Sequence, residues 1–307
     1  MSVLGASTPL LYSRRATPLH AARATIAAAY GLSLALAALL LENPILLGAL
    51  LAAVVLAAVA AGVARPVLRV GRRTAVPLLV LTVLVNVLVS REGITVFARL
   101  GEWGVLGQVD LTVEAVVYGL VFGLRLLVVT LACLLVVCAA DPDQLLFSLR
   151  RISPRSALTA AIATRLVLVL GQDAQRFAEA QRCRPDAMSG TRARLAILRA
   201  TVAGALDRAL DVAAVLETRG YGAHPRRGRR TPGSAVLRPA GSRHDLAFAV
   251  AAVSVLGLVL FARLDGAGAF HAYPLVSIAT GPATFALAAA IIAVALAPFA
   301  ERRGIAP

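Results

Sequence analysis

The chain has 307 residues, of which 59% are hydrophobic and 15% charged, and its mean hydropathy is +0.81. Soluble domains are about 45–50% apolar and about 25% charged. The apolar excess here runs along nearly the whole length, which indicates an integral membrane protein and excludes a soluble body behind one signal sequence. The net charge is +15, but aromatic residues make up only 5% and no basic domain stands apart from the apolar runs, so nucleic acid is not an expected partner.

Six apolar stretches approach the roughly 20 residues that a membrane-spanning helix needs. They cover residues 24–41, 45–64, 75–90, 113–140, 245–263 and 275–299. Asn43 and Pro44 separate the first two, because proline ends one helix and can open the next. Arg125 interrupts the fourth stretch and is expected to snorkel or to face protein, since a charge at that depth is costly.

The arginines predict the orientation of the chain. If six spans alternate, all but four of the 31 basic residues fall on one side of the membrane, the exceptions being Arg91, Arg99, Arg125 and Arg263. The short loops indicate the same orientation. Three arginines precede span one and four follow span two, whereas the turn between these two spans has none. The positive-inside rule then places both termini in the cytoplasm.

Residues 141–244 are the one long polar block, and we expect them to form a cytoplasmic domain between membrane regions at 1–140 and 245–307. Asp141 offers an N-cap and Pro142 a first-turn proline for a short helix. Two long helical patterns follow, from about Ser156 to Arg184 and from about Thr191 to Arg219. The predicted fold is an all-α integral membrane protein with about six transmembrane helices and a cytoplasmic domain of two to three helices between spans four and five.

The two long helices differ in their apolar pattern. Residues 156–171 are apolar apart from Arg165 whereas 172–184 are polar, so the first helix is expected to start in or against the membrane and project into the cytoplasm. A seventh span over 156–171 is the alternative, although the run is short and Arg165 is central. The second helix is amphipathic and either packs on its neighbour or lies on the bilayer. Its apolar residues are Leu195, Leu198, Val202, Leu206, Leu210, Ala213 and Leu216.

Both long helices end in an arginine followed by a residue that stops a helix. Arg184 precedes Pro185, and Arg219 precedes Gly220, which supplies a left-handed C-cap at low cost. An arginine at a helix end can make forked, charge-assisted contacts with a carboxylate. Two such ends, 35 residues apart, therefore indicate contacts with two equivalent partners. Each arginine taken alone is also explained as a complement to the helix dipole.

The order and spacing of several short motifs resemble the transmembrane T component of energy-coupling-factor (ECF) transporters, the family that includes the cobalt-type CbiQ subunits. The resemblance covers about Thr17 to Arg243, and it is the order of the fragments that is specific. In chain order the motifs are Thr17-Pro18-Leu19-His20, Asn86, Leu111-Thr112-Val113-Glu114, Tyr118-Gly119-Leu120, Gly123-Leu124-Arg125-Leu126, Asp141-Pro142, Leu149-Arg150-Arg151 and the two helix ends.

The resemblance implies that each helix end docks in a groove of one ABC ATPase subunit through an Ala-Arg-Gly-like motif. Thr218 stands where alanine is usual, and Pro185 stands where glycine is expected. Pairing with a second, non-identical ATPase subunit is one explanation of the departure at Pro185. The ATPase-coupling residues that the resemblance implies are Arg182, Arg184, Glu217, Arg219, Gly220 and Tyr221.

The same resemblance implies a non-catalytic transport subunit that joins two cytosolic ATPases to a membrane-embedded S component, which captures a vitamin or a metal ion. No cofactor and no resident metal are expected. The chain has no GxxxxGK[ST], HExxH or GxSxG motif and no CxxC pair, which argues against an enzyme and against a zinc site. A stand-alone carrier or channel is the main alternative, with only Arg125 and Glu114 as intramembrane site candidates. A membrane scaffold without transport activity is the third possibility.

Overall fold

A computed structural model describes residues 15–89, 95–103, 107–149, 154–183, 190–220, 242–266, 268–271 and 277–300. Ten helices and two short two-stranded sheets occupy these residues. In chain order they are α1 (Pro18–Ala21), α2 (Ala24–Leu40), α3 (Pro44–Ala60), α4 (Ala64–Val89), β1 (Val96–Trp103), β2 (Gly107–Thr112), α5 (Val113–Ala139), α6 (Pro142–Leu149), α7 (Pro154–Arg182), α8 (Gly190–Thr218), α9 (Arg243–Leu264), β3 (Phe270–His271), β4 (Ser277–Ile278) and α10 (Pro282–Ala300). The predicted class, an all-α membrane protein, is confirmed.

The chain divides into two compact units, with one boundary between Leu145 and Leu146 and the other between Ala240 and Gly241. The smaller unit contains α7 and α8, and the larger unit contains α1 to α5 with α9 and α10. The predicted division into membrane regions at 1–140 and 245–307 and a cytoplasmic domain at 141–244 stays a prediction.

Four of the described helices are long and apolar enough to cross a membrane, namely α4, α5, α9 and α10. Two further apolar helices, α2 and α3, have 17 residues each. All six overlap the predicted stretches, although the sixth begins at Pro282 rather than at residue 275 and the third begins before residue 75. The helix α7 is not among the four, and the seventh span over 156–171 stays an alternative.

The third predicted span is the main difference between expectation and structure. The prediction began this span at residue 75 and placed four arginines in a preceding loop, whereas α4 begins at Ala64 and carries all four on its first turns. Helical backbone hydrogen bonding continues through the polar segment because arginine is a good helix former. The arginines therefore have a fixed helical spacing rather than that of a loop.

The core of the larger unit joins α2, α9 and α10 through three aromatic rings. Tyr30 is fully buried, and its ring lies 5.2 Å from that of Phe248 and 6.2 Å from that of Phe299, in edge-to-face arrangements. A buried phenol needs a hydrogen-bond acceptor, and the Tyr30 hydroxyl donates to the carbonyl of Ala295 at 2.7 Å.

The turn between α2 and α3 lies at Asn43 and Pro44, where the sequence predicted it. The Asn43 side chain caps α3 by accepting from the backbone N–H of Ile45.

Helix α5 packs closely on α4 through glycines. A Cβ at Gly119 would stand 3.1 Å from the Cα of Val83, and one at Gly123 would stand 3.0 Å from Cγ of Leu79. Small residues four positions apart let two helix backbones approach within a membrane, where no hydrophobic effect drives the helices together. The two resemblance motifs that contain Gly119 and Gly123 thus serve helix packing here.

The connection between α4 and α5 contains a hairpin that the sequence interpretation did not predict. Strand β1 pairs antiparallel with β2, with Val96 opposite Thr112 and Trp103 opposite Gly107. The side chain of Thr112 then caps α5 by accepting from the N–H of Ala115 at 3.3 Å. The hairpin therefore leads directly into the first turn of α5.

Candidate functional site

The smaller unit presents the predicted site as two helices of 29 residues each, α7 and α8. Their observed bounds, Pro154–Arg182 and Gly190–Thr218, agree with the predicted patterns to within two residues at each end. An i,i+3 ion pair within α7 joins Asp173 and Arg176 at 3.9 Å, although Arg176 is largely exposed. Exposed pairs of this kind stabilise a helix by only a few tenths of a kcal/mol, roughly.

A stronger ion pair joins the two helices. The Arg208 guanidinium on α8 donates to the Asp173 carboxylate on α7 at 3.0 Å, and the Asp173 side chain is only 17% exposed. Charge-assisted bonds of this kind are among the stronger ones in proteins and fix the relative position of their two elements. Sequence reasoning missed this pair, because no local pattern connects two residues 35 positions apart.

The ion pair stands at nearly the same distance from the end of each helix. Asp173 lies 9 residues before the last residue of α7, and Arg208 lies 10 residues before the last residue of α8. At about 1.5 Å per residue, the two C-terminal segments extend about 14 Å and about 15 Å beyond the pair. In sequence, Arg184 follows Asp173 by 11 residues, and Arg219 likewise follows Arg208 by 11. Arg184 and Arg219, the arginines predicted at the two helix ends (the tip arginines), thus have the same sequence separation from the ion-paired residue of their own helix.

The end of α8 has the predicted geometry. The N–H of Arg219 donates to the carbonyl of Val215 at 3.2 Å, and the N–H of Gly220 donates to that of Glu217 at 2.8 Å. Gly220 has a φ of +76°, in the left-handed region where glycine is favoured. The chain therefore leaves the helix immediately after Arg219, and the side chains of Glu217 and Arg219 are both exposed.

The end of α7 is described as far as Cys183. Its N–H continues the helix by donating to the carbonyl of Glu179 at 3.2 Å, and Arg182 is exposed. Within the described part of the chain, neither Arg182 nor Arg219 forms an ion pair. Arg184, Pro185 and Tyr221, which belong to the predicted site, lie outside the described residues.

The apolar face of α8 is not covered. Its exposed apolar side chains recur at intervals of three or four and reach exposed fractions from 49% to 71%. They are Leu195, Leu198, Val202, Leu206 and Leu210. Of the two predicted explanations for this pattern, packing on the neighbouring helix does not account for these five residues. An apolar row of this length is typical of a surface that a partner or a membrane covers.

The two residues that a stand-alone carrier would use are both held by backbone groups of the larger unit. The Arg125 guanidinium donates to the carbonyl of Leu41 at 2.7 Å, which satisfies the C-terminal end of α2. The buried Glu114 carboxylate accepts from the N–H of Thr95 at 3.2 Å. A cavity of about 340 Å³ adjoins Arg125. Glu42 also lines this cavity, and its carboxylate forms an ion pair with the Arg263 guanidinium at 2.6 Å. These contacts give the ionisable groups structural roles.

No group of three or more histidine, cysteine or acidic side chains is placed to hold a metal ion within the ranges that the structure describes. Comparison with known proteins gives one family. The model of a family described as CbiQ, cobalt transport protein, matches residues 15–229. No curated protein matches the chain.

Proposed function

The chain belongs to the CbiQ family of cobalt transport proteins, whose members are membrane components of transport systems, and we propose that it is the transmembrane T component of an ECF-type ABC importer. In this role it joins two cytosolic ABC ATPases to a membrane-embedded S component that captures the metal ion or vitamin. ATP hydrolysis belongs to the partner subunits, and the chain transmits their motion to the S component.

The observation that carries this proposal is the construction of the α7–α8 pair. The Asp173–Arg208 ion pair joins the two helices, and in sequence Arg184 and Arg219 each follow the ion-paired residue of their own helix by 11 residues. This arrangement supports a role in which the two helix ends act together. Arg219 is exposed, without an ion pair to any described residue, and held at a helix end by the left-handed Gly220. A guanidinium in that position suits a carboxylate-lined groove on an ATPase.

The uncovered row on α8 supports a further contact surface. Five apolar side chains at helical spacing are exposed there, and they require a partner because water solvates them poorly. In the proposed assembly they lie against the S component or an ATPase subunit. A membrane scaffold without transport activity would share this row but would not need two arginine tips at equal offsets.

The arginine distribution supports an orientation with the α7–α8 unit in the cytoplasm. Arginines are abundant before α2, at the start of α4 and throughout 141–244, while the α2–α3 turn has none. We therefore propose that the chain lies in the prokaryotic cell membrane with both termini in the cytoplasm. This orientation places the tips where ABC ATPases operate.

Co-purification tests the proposed partnership. A tagged chain, co-expressed with the ABC ATPases and the small six-span membrane protein expected from adjacent reading frames, is expected to purify as one complex in mild detergent. A stand-alone carrier would purify by itself and would have no ATPase gene beside it. Recovery of the chain without stoichiometric ATPases, from membranes that contain them in excess, would contradict the assignment.

A further inference from the structure

The first turns of α4 carry four arginines on one side of the helix. Arg65, Arg69, Arg72 and Arg73 follow the i, i+4, i+7, i+8 spacing that places side chains on one helical face, and all four are exposed. The opposite side packs inward through Val67 and Gly71, which are buried. This basic face is therefore a fixed array of guanidinium groups.

The four arginines have no protein partner in the described part of the chain. Arg23, Arg208 and Arg263 each form an ion pair with a carboxylate, whereas none of the four on α4 forms an ion pair or a side-chain hydrogen bond with a described residue. Four like charges within nine residues repel one another. An anionic occupant would relieve this repulsion.

The basic face continues into an apolar one along the same helix. Val76, Val80 and Leu84 follow Arg72 at intervals of four residues, and they are 44%, 58% and 52% exposed. From Arg73 to Leu84 the helix rises about 16 Å at about 1.5 Å per residue. Half of a hydrocarbon core of about 30 Å is about 15 Å, so the stretch from Arg73 to Leu84 is long enough to lie along the acyl chain of a lipid in one leaflet.

We propose that this face of α4 binds one anionic phospholipid, whose phosphate lies among the four arginines and whose acyl chain lies along Val76, Val80 and Leu84. Guanidinium groups bind phosphate oxygens through forked, charge-assisted hydrogen bonds. The apolar row adds a contact with an acyl chain, which a free phosphate cannot make. The acidic surface of a soluble protein would not need that contact. The juxtamembrane position of the arginines suits a lipid headgroup. This site is independent of the proposed coupling role.

Native mass spectrometry of the full chain in an uncharged detergent tests the site. The probes are phosphatidylglycerol, phosphatidylcholine and glycerol 3-phosphate, which carries the phosphate without acyl chains. The chain is expected to retain one phosphatidylglycerol in preference to both other probes. Arg72→Gln with Arg73→Gln is expected to bind it roughly 30-fold more weakly, and Arg72→Lys with Arg73→Lys is expected to retain most of the affinity because the charge remains.

The matched control is Arg192→Gln with Arg194→Gln, which removes the same charge from exposed positions on α8. This variant is expected to bind phosphatidylglycerol as the unmodified chain does. The proposal is overturned if phosphatidylglycerol binds no better than phosphatidylcholine, or if glycerol 3-phosphate competes equally well. It is also overturned if both glutamine variants lose lipid to the same extent, or if Arg72→Gln with Arg73→Gln loses an acidic protein partner but no lipid.

Discussion

Reversing the charge of both tip arginines, by Arg184→Glu with Arg219→Glu, is expected to leave the chain inserted in the membrane and to abolish co-purification of the ATPases. At each position, the attraction between the arginine and the carboxylates of an ATPase groove would be replaced by repulsion between the new glutamate and those carboxylates. Losing one partner of such a pair costs about 2–5 kcal/mol at an interface. Two losses together correspond to at least about a thousandfold weaker association. ATP-dependent uptake is expected to disappear with the complex.

Single reversals separate the two tips. Arg219→Glu alone, at the end with Gly220 in the left-handed conformation, is expected to weaken one ATPase contact and leave the other. The control for the double variant is Arg192→Glu with Arg194→Glu, which changes the net charge by the same amount at exposed positions near the start of α8. The control is expected to retain both ATPases. Retention of both ATPases by the Arg184→Glu, Arg219→Glu double variant would show that the tips are not the docking points.

Asp245→Ala is expected to have the largest effect on stability. The Asp245 carboxylate is nearly buried, and it accepts from the backbone N–H of Ser242 at 3.0 Å to complete the capping box of α9. It also accepts from the backbone N–H of Arg23 at 2.8 Å and lies 3.2 Å from Nε of the same residue. One carboxylate thus serves the start of α9 and the residue that immediately precedes α2.

The alanine variant leaves two backbone donors without an acceptor and Arg23 without its counter-ion. The Arg23 side chain is 42% exposed, so solvent screening reduces the ionic part of the loss. Loss of the cap and of the buried hydrogen bonds is expected to cost about 3 kcal/mol. In a thermal unfolding measurement on the full chain in detergent, this corresponds to a midpoint roughly 5–10 °C lower.

A comparison with Asp207→Ala isolates the buried role of Asp245. Asp207 is exposed on α8 and has no ion pair with a described residue, so its removal is expected to change the unfolding free energy by less than about 0.5 kcal/mol. Asp245→Asn keeps the side-chain size but loses the charge, and it should fall between the two alanine variants. Equal midpoints for Asp245→Ala and Asp207→Ala would remove the case for a cap shared by α2 and α9.

The sequence predicted the features that depend on composition and local pattern. Hydropathy located all six apolar helices, and Gly220 indicated the end of α8, because left-handed backbone after a helix favours glycine. Asp141 was predicted to cap the short helix that follows it, and it accepts from the N–H of Asp143 at 3.0 Å. Each of these signals lies within a few residues of the feature it predicts.

The features that the sequence did not predict depend on contacts between distant residues. The Asp173–Arg208 pair joins residues 35 positions apart, and Arg125 satisfies the carbonyl of Leu41 across 84 positions. No local pattern records such a pairing. The start of α4 was placed too late, because a hydropathy window ends at the first arginines even where the helix continues through them.

Uptake by reconstituted proteoliposomes tests the coupling role most directly. The chain would be reconstituted alone and with the proposed ATPases and S component, and entry of the labelled metal ion or vitamin that the S component binds would be measured with and without ATP. We predict that the chain alone transports nothing and that the full assembly takes up this substrate only with ATP. The assembly carrying Arg184→Glu and Arg219→Glu is expected to take up none. Uptake by the chain alone, without ATP and driven by an ion gradient, would contradict the account and identify a carrier.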